Sequence, residues 1–142
     1  MRAIGVRIDR RTVLVAGAIA LGVSLVSLVA YAVVDAIVSF DADSNWPFAF
    51  YVVILLGMAL GGRVAGRARP DAPLAHGSLA ALGAMAVIAV ISVIIDVALG
   101  NDIVDNLVKL VAQIPVPVAV SAFSAYLAAR HAIGAASEER GR

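Results

Sequence analysis

Long stretches of this chain carry almost no charge. Residues 12–40 are broken only by Asp35, 47–62 hold no charged residue, and 74–99 hold only His76 near the start and Asp96 near the end. A fourth stretch, 115–129, is also uncharged but shorter. A helix needs about 20 apolar residues to cross a hydrocarbon core of about 30 Å. The pattern therefore predicts four transmembrane helices, at about 12–38, 47–63, 75–99 and 115–131, with tails over 1–11 and 132–142. None of the four shows the alternation of a barrel strand, and a helix satisfies its own backbone groups in lipid. The second and fourth spans are short, since about 17 residues reach only about 25 Å. Either they extend into their flanks or the surrounding bilayer is thin.

The segment 101–114 has a different rhythm. Ile103, Val104, Leu107, Val108, Leu110, Val111 and Ile114 recur with the period of an amphipathic helix. Gly100 is suited to stop the preceding span and Asp102 to cap the new helix. Asp105 and Lys109 stand one helical turn apart with the acid first, the favourable order for an ion pair. Pro115 and Pro117 then end or kink the helix. The expectation is a short amphipathic helix lying along the outer membrane surface or over the mouth of the bundle. Its alternative is the outer end of a long, kinked fourth span.

A shift of 61 residues lays the first span on the third. Ala20-Leu21-Gly22 then meets Ala81-Leu82-Gly83, Asp35 meets Asp96, and Asp41 meets Asp102. Acids are rare here, so the paired aspartates weigh more than matches of Ala and Val. With about seven further residues allowed in the second copy, Pro47 meets Pro115 and Gly66 meets Gly134. The predicted fold class is an all-α membrane protein with four transmembrane helices. They form two duplicated helical hairpins in parallel orientation, plus the short outer amphipathic helix.

Composition narrows the field. Hydrophobic residues make up 62% of the 142 and charged residues 15%, and there is no cysteine. Those values argue against a water-soluble globule, a disordered chain and a disulfide scaffold. Charge sets orientation. Arg2, Arg7, Arg10, Arg11, Arg63, Arg67, Arg69, Arg130, Arg140 and Arg142 all fall on one side of a four-span bundle, and only Lys109 falls on the other. By the positive-inside rule both termini are expected on the cytoplasmic side of the cell's inner membrane. A cleaved signal ending at Ala30-Tyr31-Ala32 is the competing reading, but the apolar run exceeds an ordinary signal core.

Candidate chemistry is sparse. Asp35 and Asp96 are the acids within spans; Asp35 stands 22 residues past Val13 and Asp96 22 past Leu74, each about 33 Å along a helix. They are expected near the outer boundary, either hydrated or paired with Lys109, or lining a vestibule that takes cations or protons. Gly57, Gly61, Gly62 and Gly66 form two GxxxG spacings that allow helix backbones to approach. Ser121, Ala125 and Ala129 repeat the small-residue spacing, as do Gly77 and Ala81. His76 and His131 stand apart at the rim and suggest interfacial caps rather than a metal site. No catalytic, cofactor-binding or metal-ligating residues are expected, because no nucleophile motif or phosphate loop is present.

The run Gly57-Met58-Ala59-Leu60-Gly61-Gly62-Arg63-Val64-Ala65-Gly66-Arg67, followed by His76-Gly77-Ser78-Leu79, resembles small four-helix bacterial integral membrane proteins of unknown function. The resemblance implies their four-span architecture and supplies no activity. Small multidrug transporters, with a central Glu in the first span, do not fit, nor do fluoride channels. The expected function is non-catalytic: an accessory, assembly or scaffold role in the cytoplasmic membrane. Its partners would be the lipid bilayer and either another membrane protein or a second copy, with no nucleic acid. The alternative is a small cation- or proton-coupled transporter or channel using Asp35 and Asp96.

Overall fold

The computed structural model describes residues 7–38 and 45–140, the last two in backbone only. Five α-helices succeed one another: α1 (Arg10–Val38), α2 (Trp46–Ala68), α3 (Pro73–Leu99), α4 (Ile103–Gln113) and α5 (Pro115–Arg140). Four stretches are long and apolar enough to cross a membrane: α1, α2, α3, and the 36 residues from Ile103 to Glu138 that α4 and α5 share. The chain is a helical, multi-pass membrane protein. Arg2 and Arg142, which bear on the charge asymmetry, and Asp41, which bears on the 61-residue shift, lie outside the described residues.

Each boundary has a local cause. The Asp9 carboxylate opens α1, accepting from the Arg11 backbone N–H at 3.1 Å and the Thr12 hydroxyl at 2.7 Å. Pro47 and Pro73 stand in the first turns of α2 and α3, where a missing N–H costs nothing. Gly100 ends α3 at φ 69°, a left-handed conformation that a side chain would strain. Asp102 caps α4, accepting from the backbone N–H groups of Val104 at 3.0 Å and Asp105 at 3.1 Å. Pro115 and Pro117 have no N–H to donate, and α4 gives way to α5 at Ile114.

Two helices are longer than the apolar runs alone suggest. α2 has 23 residues and α5 has 26, which reach about 35 and 39 Å. α2 runs on through Arg63 and Arg67, and α5 continues to Arg140, so the tail expected from 132 onward is helical as far as 140. Arginine, alanine and glutamate all favour helix, and a long charged side chain lets the backbone continue past the apolar region.

The packing is inverted relative to a water-soluble bundle. Ala16, Ala20, Met58, Ala65, Ala80, Ala81 and Ala125 are buried, whereas Leu14 and Val26 are each 71% exposed. Large apolar side chains face outward because lipid is as good a solvent for them as the interior, and small residues inside let backbones touch. Gly57 lies against Ala20 and Val23, and Gly61 against Ala16, so α1 and α2 run antiparallel. Gly62 lies against the Ser121 carbonyl and Gly66 against that of Ala125, so α2 and α5 run side by side in one direction. Serine hydroxyls fasten the contacts: Ser27 donates to the Phe50 carbonyl at 2.9 Å, Ser121 to Gly77 at 2.8 Å and Ser124 to Ala59 at 2.7 Å. The bundle thus has an end that carries the arginines and a far end that carries Asp96 and α4.

Candidate functional site

At the far end, Asp96 is buried on α3, one turn before Gly100. Its Oδ1 accepts from the Asn101 amide at 3.2 Å and from the Asn106 amide at 3.0 Å. The second contact ties α4 to α3. It also explains which face of α4 is covered. Ile103, Asn106, Leu110 and Ile114 are half-buried, while Val104, Leu107, Val108 and Val111 remain exposed. The apolar stripe read from the sequence therefore divides into a flank against the bundle and a flank facing out. Asn106 lies inside the bundle-facing flank, a polar residue at a position an apolar repeat would fill. That misfit is the signal in the sequence that points to it.

Pairing with Lys109, one of the alternatives for Asp96, is not what the structure shows. Lys109 stands on the exposed side of α4 and pairs with Asp105 at 2.6 Å, the pairing expected from their spacing. Asp96 does line a crevice of about 500 Å³ with Tyr31, Asn106, Lys109 and Gln113. Among the described residues, Asp35 does not line it; it is exposed near the end of α1. Asp35 and Asp96, aligned by the 61-residue shift, thus stand in different surroundings. After α3, α4 folds onto Asp96, whereas the segment after Val38 lies outside the described residues. Beside this crevice lies a second, of about 570 Å³, walled by Leu28, Tyr31, Pro47, Phe48, Phe50 and Tyr51 among others. Tyr31 and Phe50 meet there edge to face, with ring centroids 5.4 Å apart.

At the arginine-bearing end, His76 is not a solvated cap. It is fully buried in the first turns of α3. Its Nδ1 bonds the Ala72 carbonyl at 2.8 Å, and its Nε2 accepts from the Asp9 backbone N–H at 3.0 Å. A carbonyl can only accept, so Nδ1 carries the proton and the ring is neutral. One imidazole thereby joins the start of α1 to the start of α3. Around it runs an ionic strip. Arg69 donates to both oxygens of Asp71, each at 3.0 Å, and stands 3.8 Å from Asp9. The Thr12 hydroxyl, with help from backbone N–H groups and Arg69, holds the Asp9 carboxyl below its ordinary value. The Arg69 hydrogen bonds do the same for Asp71, and Asp71 in turn holds Arg69 above its own. Asp9 just ahead of a long apolar run carries a legible capping signal. The burial of His76 has none, because it depends on what packs against α3.

The four glycines Gly57, Gly61, Gly62 and Gly66 are buried on α2. The first pair faces α1 and the second faces α5. Against that second pair, Arg63, Arg67, Ser124, Leu127, Ala128 and His131 line a crevice of about 370 Å³. Nearby, the Arg130 guanidinium lies over the Tyr126 ring at 5.9 Å. Comparison with protein families, with curated proteins and with solved structures finds no match to this chain.

Proposed function

We propose that this is a non-catalytic membrane protein with an accessory, assembly or scaffold role in the cytoplasmic membrane. One observation carries the reading: the fully buried polar side chains of the bundle are already engaged in holding it together. Ser24, Ser27 and Ser121 are buried, and each donates to a helix carbonyl of the bundle itself. Among the described residues no buried side-chain nitrogen or oxygen lacks a partner. An ion path needs groups that exchange partners, whereas these are committed to holding helices together. Extraction in mild detergent tests the role. Co-purification with another membrane protein is the expected result, and a chain that always emerges alone and monodisperse would sink it.

Within that reading, the arginines mark the cytoplasmic end and both termini lie there. The absence of cysteine from the sequence makes this easy to test. In intact cells an impermeant maleimide should label Asn45→Cys and spare Ser137→Cys; the reverse pattern would overturn the orientation. α4 lies at the outer interface, with its Val104, Leu107, Val108 and Val111 flank in lipid and Asp105 and Lys109 in water. The two hairpins are duplicated copies in parallel orientation. In support, Ala16 and its counterpart Gly77 both meet a small residue on the following long helix, Gly61 and Ala125 respectively. The likeness to small four-helix bacterial membrane proteins belongs to the same proposal.

A second reading, a cation or proton pathway, is favoured by the buried Asp96 carboxylate in its crevice. It rests on Asp96 alone rather than on a pair with Asp35. Flux in proteoliposomes decides it: transport abolished by Asp96→Asn would establish the path, and no flux in the wild type would remove it.

A further inference from the structure

We propose that the crevice between α2 and α5 at the arginine-bearing end binds the phosphate group of an anionic ligand, with a lipid headgroup as the source its surroundings favour. The crevice exists because Gly62 and Gly66 press α2 onto the Ser121 and Ala125 carbonyls. The side chains next to those glycines, Arg63 and Arg67, stand one turn apart along one edge of the seam. Leu127 and His131 stand one turn apart along the other, and Ala128 closes the floor. Two backbones in contact make rigid walls, so the guanidinium groups start from fixed points.

The charges at this site are uncompensated. Arg69 is held by Asp71 at 3.0 Å and Lys109 by Asp105 at 2.6 Å, and Arg130 lies over a tyrosine ring. Arg63 and Arg67 form no ion pair or hydrogen bond among the described residues. Ser124 is already donating to Ala59, so its proton is not on offer. The donors that remain are two guanidinium forks and one imidazole. A guanidinium matches two phosphate oxygens at once, which a single point charge cannot do. A volume of about 370 Å³ suits a headgroup-sized ligand.

The lipid is favoured by what lies behind the arginines. Leu60, one turn back on α2, is 49% exposed, and Phe123, one turn back from Leu127 on α5, is 62% exposed. This apolar track leads from the crevice toward the middle of the bundle, where an acyl chain would lie. A soluble phosphate ester would gain nothing from it. The proposal rests on the membrane reading and is independent of any accessory role.

Native mass spectrometry of the purified full chain tests it, with phosphatidylglycerol and phosphatidylcholine as competing probes and labelled inorganic phosphate as a separate arm. Both lipids carry a phosphodiester, but only the first keeps a net negative charge. Wild type should retain phosphatidylglycerol on the order of tenfold better. Arg63→Gln with Arg67→Gln should remove most of that preference. Arg63→Lys with Arg67→Lys, which keeps the charge and loses the fork, should fall between. Arg10→Gln with Arg11→Gln, removing equal charge from the same end outside the crevice, should change little. Equal losses in the two Gln pairs would overturn the site, since only the net charge would then matter. Phosphate bound without lipid preference, and lost with Arg63 and Arg67, would keep the phosphate site but overturn the lipid as its source. No binding in either arm would end the proposal.

Discussion

The two ends of this bundle are held by different means. At the arginine-bearing end the helices touch backbone to backbone, through Gly61, Gly62, Gly66 and Gly77 against carbonyls of α1 and α5. There a buried histidine and an ionic strip join the helix starts. At the far end α1 stands more openly, with aromatic crevices between the helices, and the closure comes from one short helix docked through Asp96 and Asn106. Close packing leaves no room for substitution, while a docked helix depends on a few polar contacts. The first end should be brittle and the second adjustable.

The sharpest way to break that contrast is at a glycine. A Cβ at Gly66 would overlap the Ala125 carbonyl, and backbone cannot move aside as a flexible side chain can. Gly66→Leu should cost about 3 kcal/mol or more, read as loss of a monodisperse, thermally cooperative species in detergent. Gly83→Ala is the counterpart, since nothing lies within 4 Å of a Cβ there. It should stabilise its helix by about 0.5–1 kcal/mol. If both variants behave alike, close backbone approach is not what holds this end.

Next in size is His76→Leu. It keeps the bulk but strands the Asp9 N–H, a loss of about 1–3 kcal/mol. Hydrogen exchange should rise at the start of α1 and leave α4 untouched. At the far end, Asn106→Leu removes one of two donors to Asp96 and should cost about 1 kcal/mol. Exchange should then rise across α4 alone. Loosening of the arginine-bearing end by Asn106→Leu would show that the two ends are coupled rather than independently held.

The smallest effect is that of acid. Asp9 and Asp71 have folded values held below the ordinary 3.8. Their contribution is therefore complete above that value and is lost as the pH falls through the lower, folded one. Lowering the pH below about 4 should loosen the ionic strip slightly. Asp9→Asn with Asp71→Asn should flatten that response in a thermal melt, and an unchanged acid limb would assign it elsewhere.

Much of the architecture is legible in the sequence because its causes are local. Uncharged runs of sufficient length mark the spans, Asp102 and Gly100 mark the limits of the α3–α4 turn, and spacing marks the Asp105–Lys109 pair. The full lengths of α2 and α5 are not legible in the same way, because charge ends an apolar region without ending a helix. The surroundings of Asp35 and Asp96 are not legible from their spacing. A shift of 61 residues aligns them in sequence, yet α4 covers only the second. His76 misleads because its burial depends on what packs against α3; the two histidines end in opposite environments, one buried and one exposed.

That the chain crosses lipid, how often it does so, and that its positive charges gather at one end are all properties of residue type and spacing, summed along a line. Which glycine meets which carbonyl, that Asn106 rather than Lys109 reaches Asp96, and that Arg63 and Arg67 share a crevice with His131 needed the packed bundle. These bring together residues 10 to 68 positions apart. Each depends on how one helix is rotated against another, a choice made by the fit of small side chains across the whole seam.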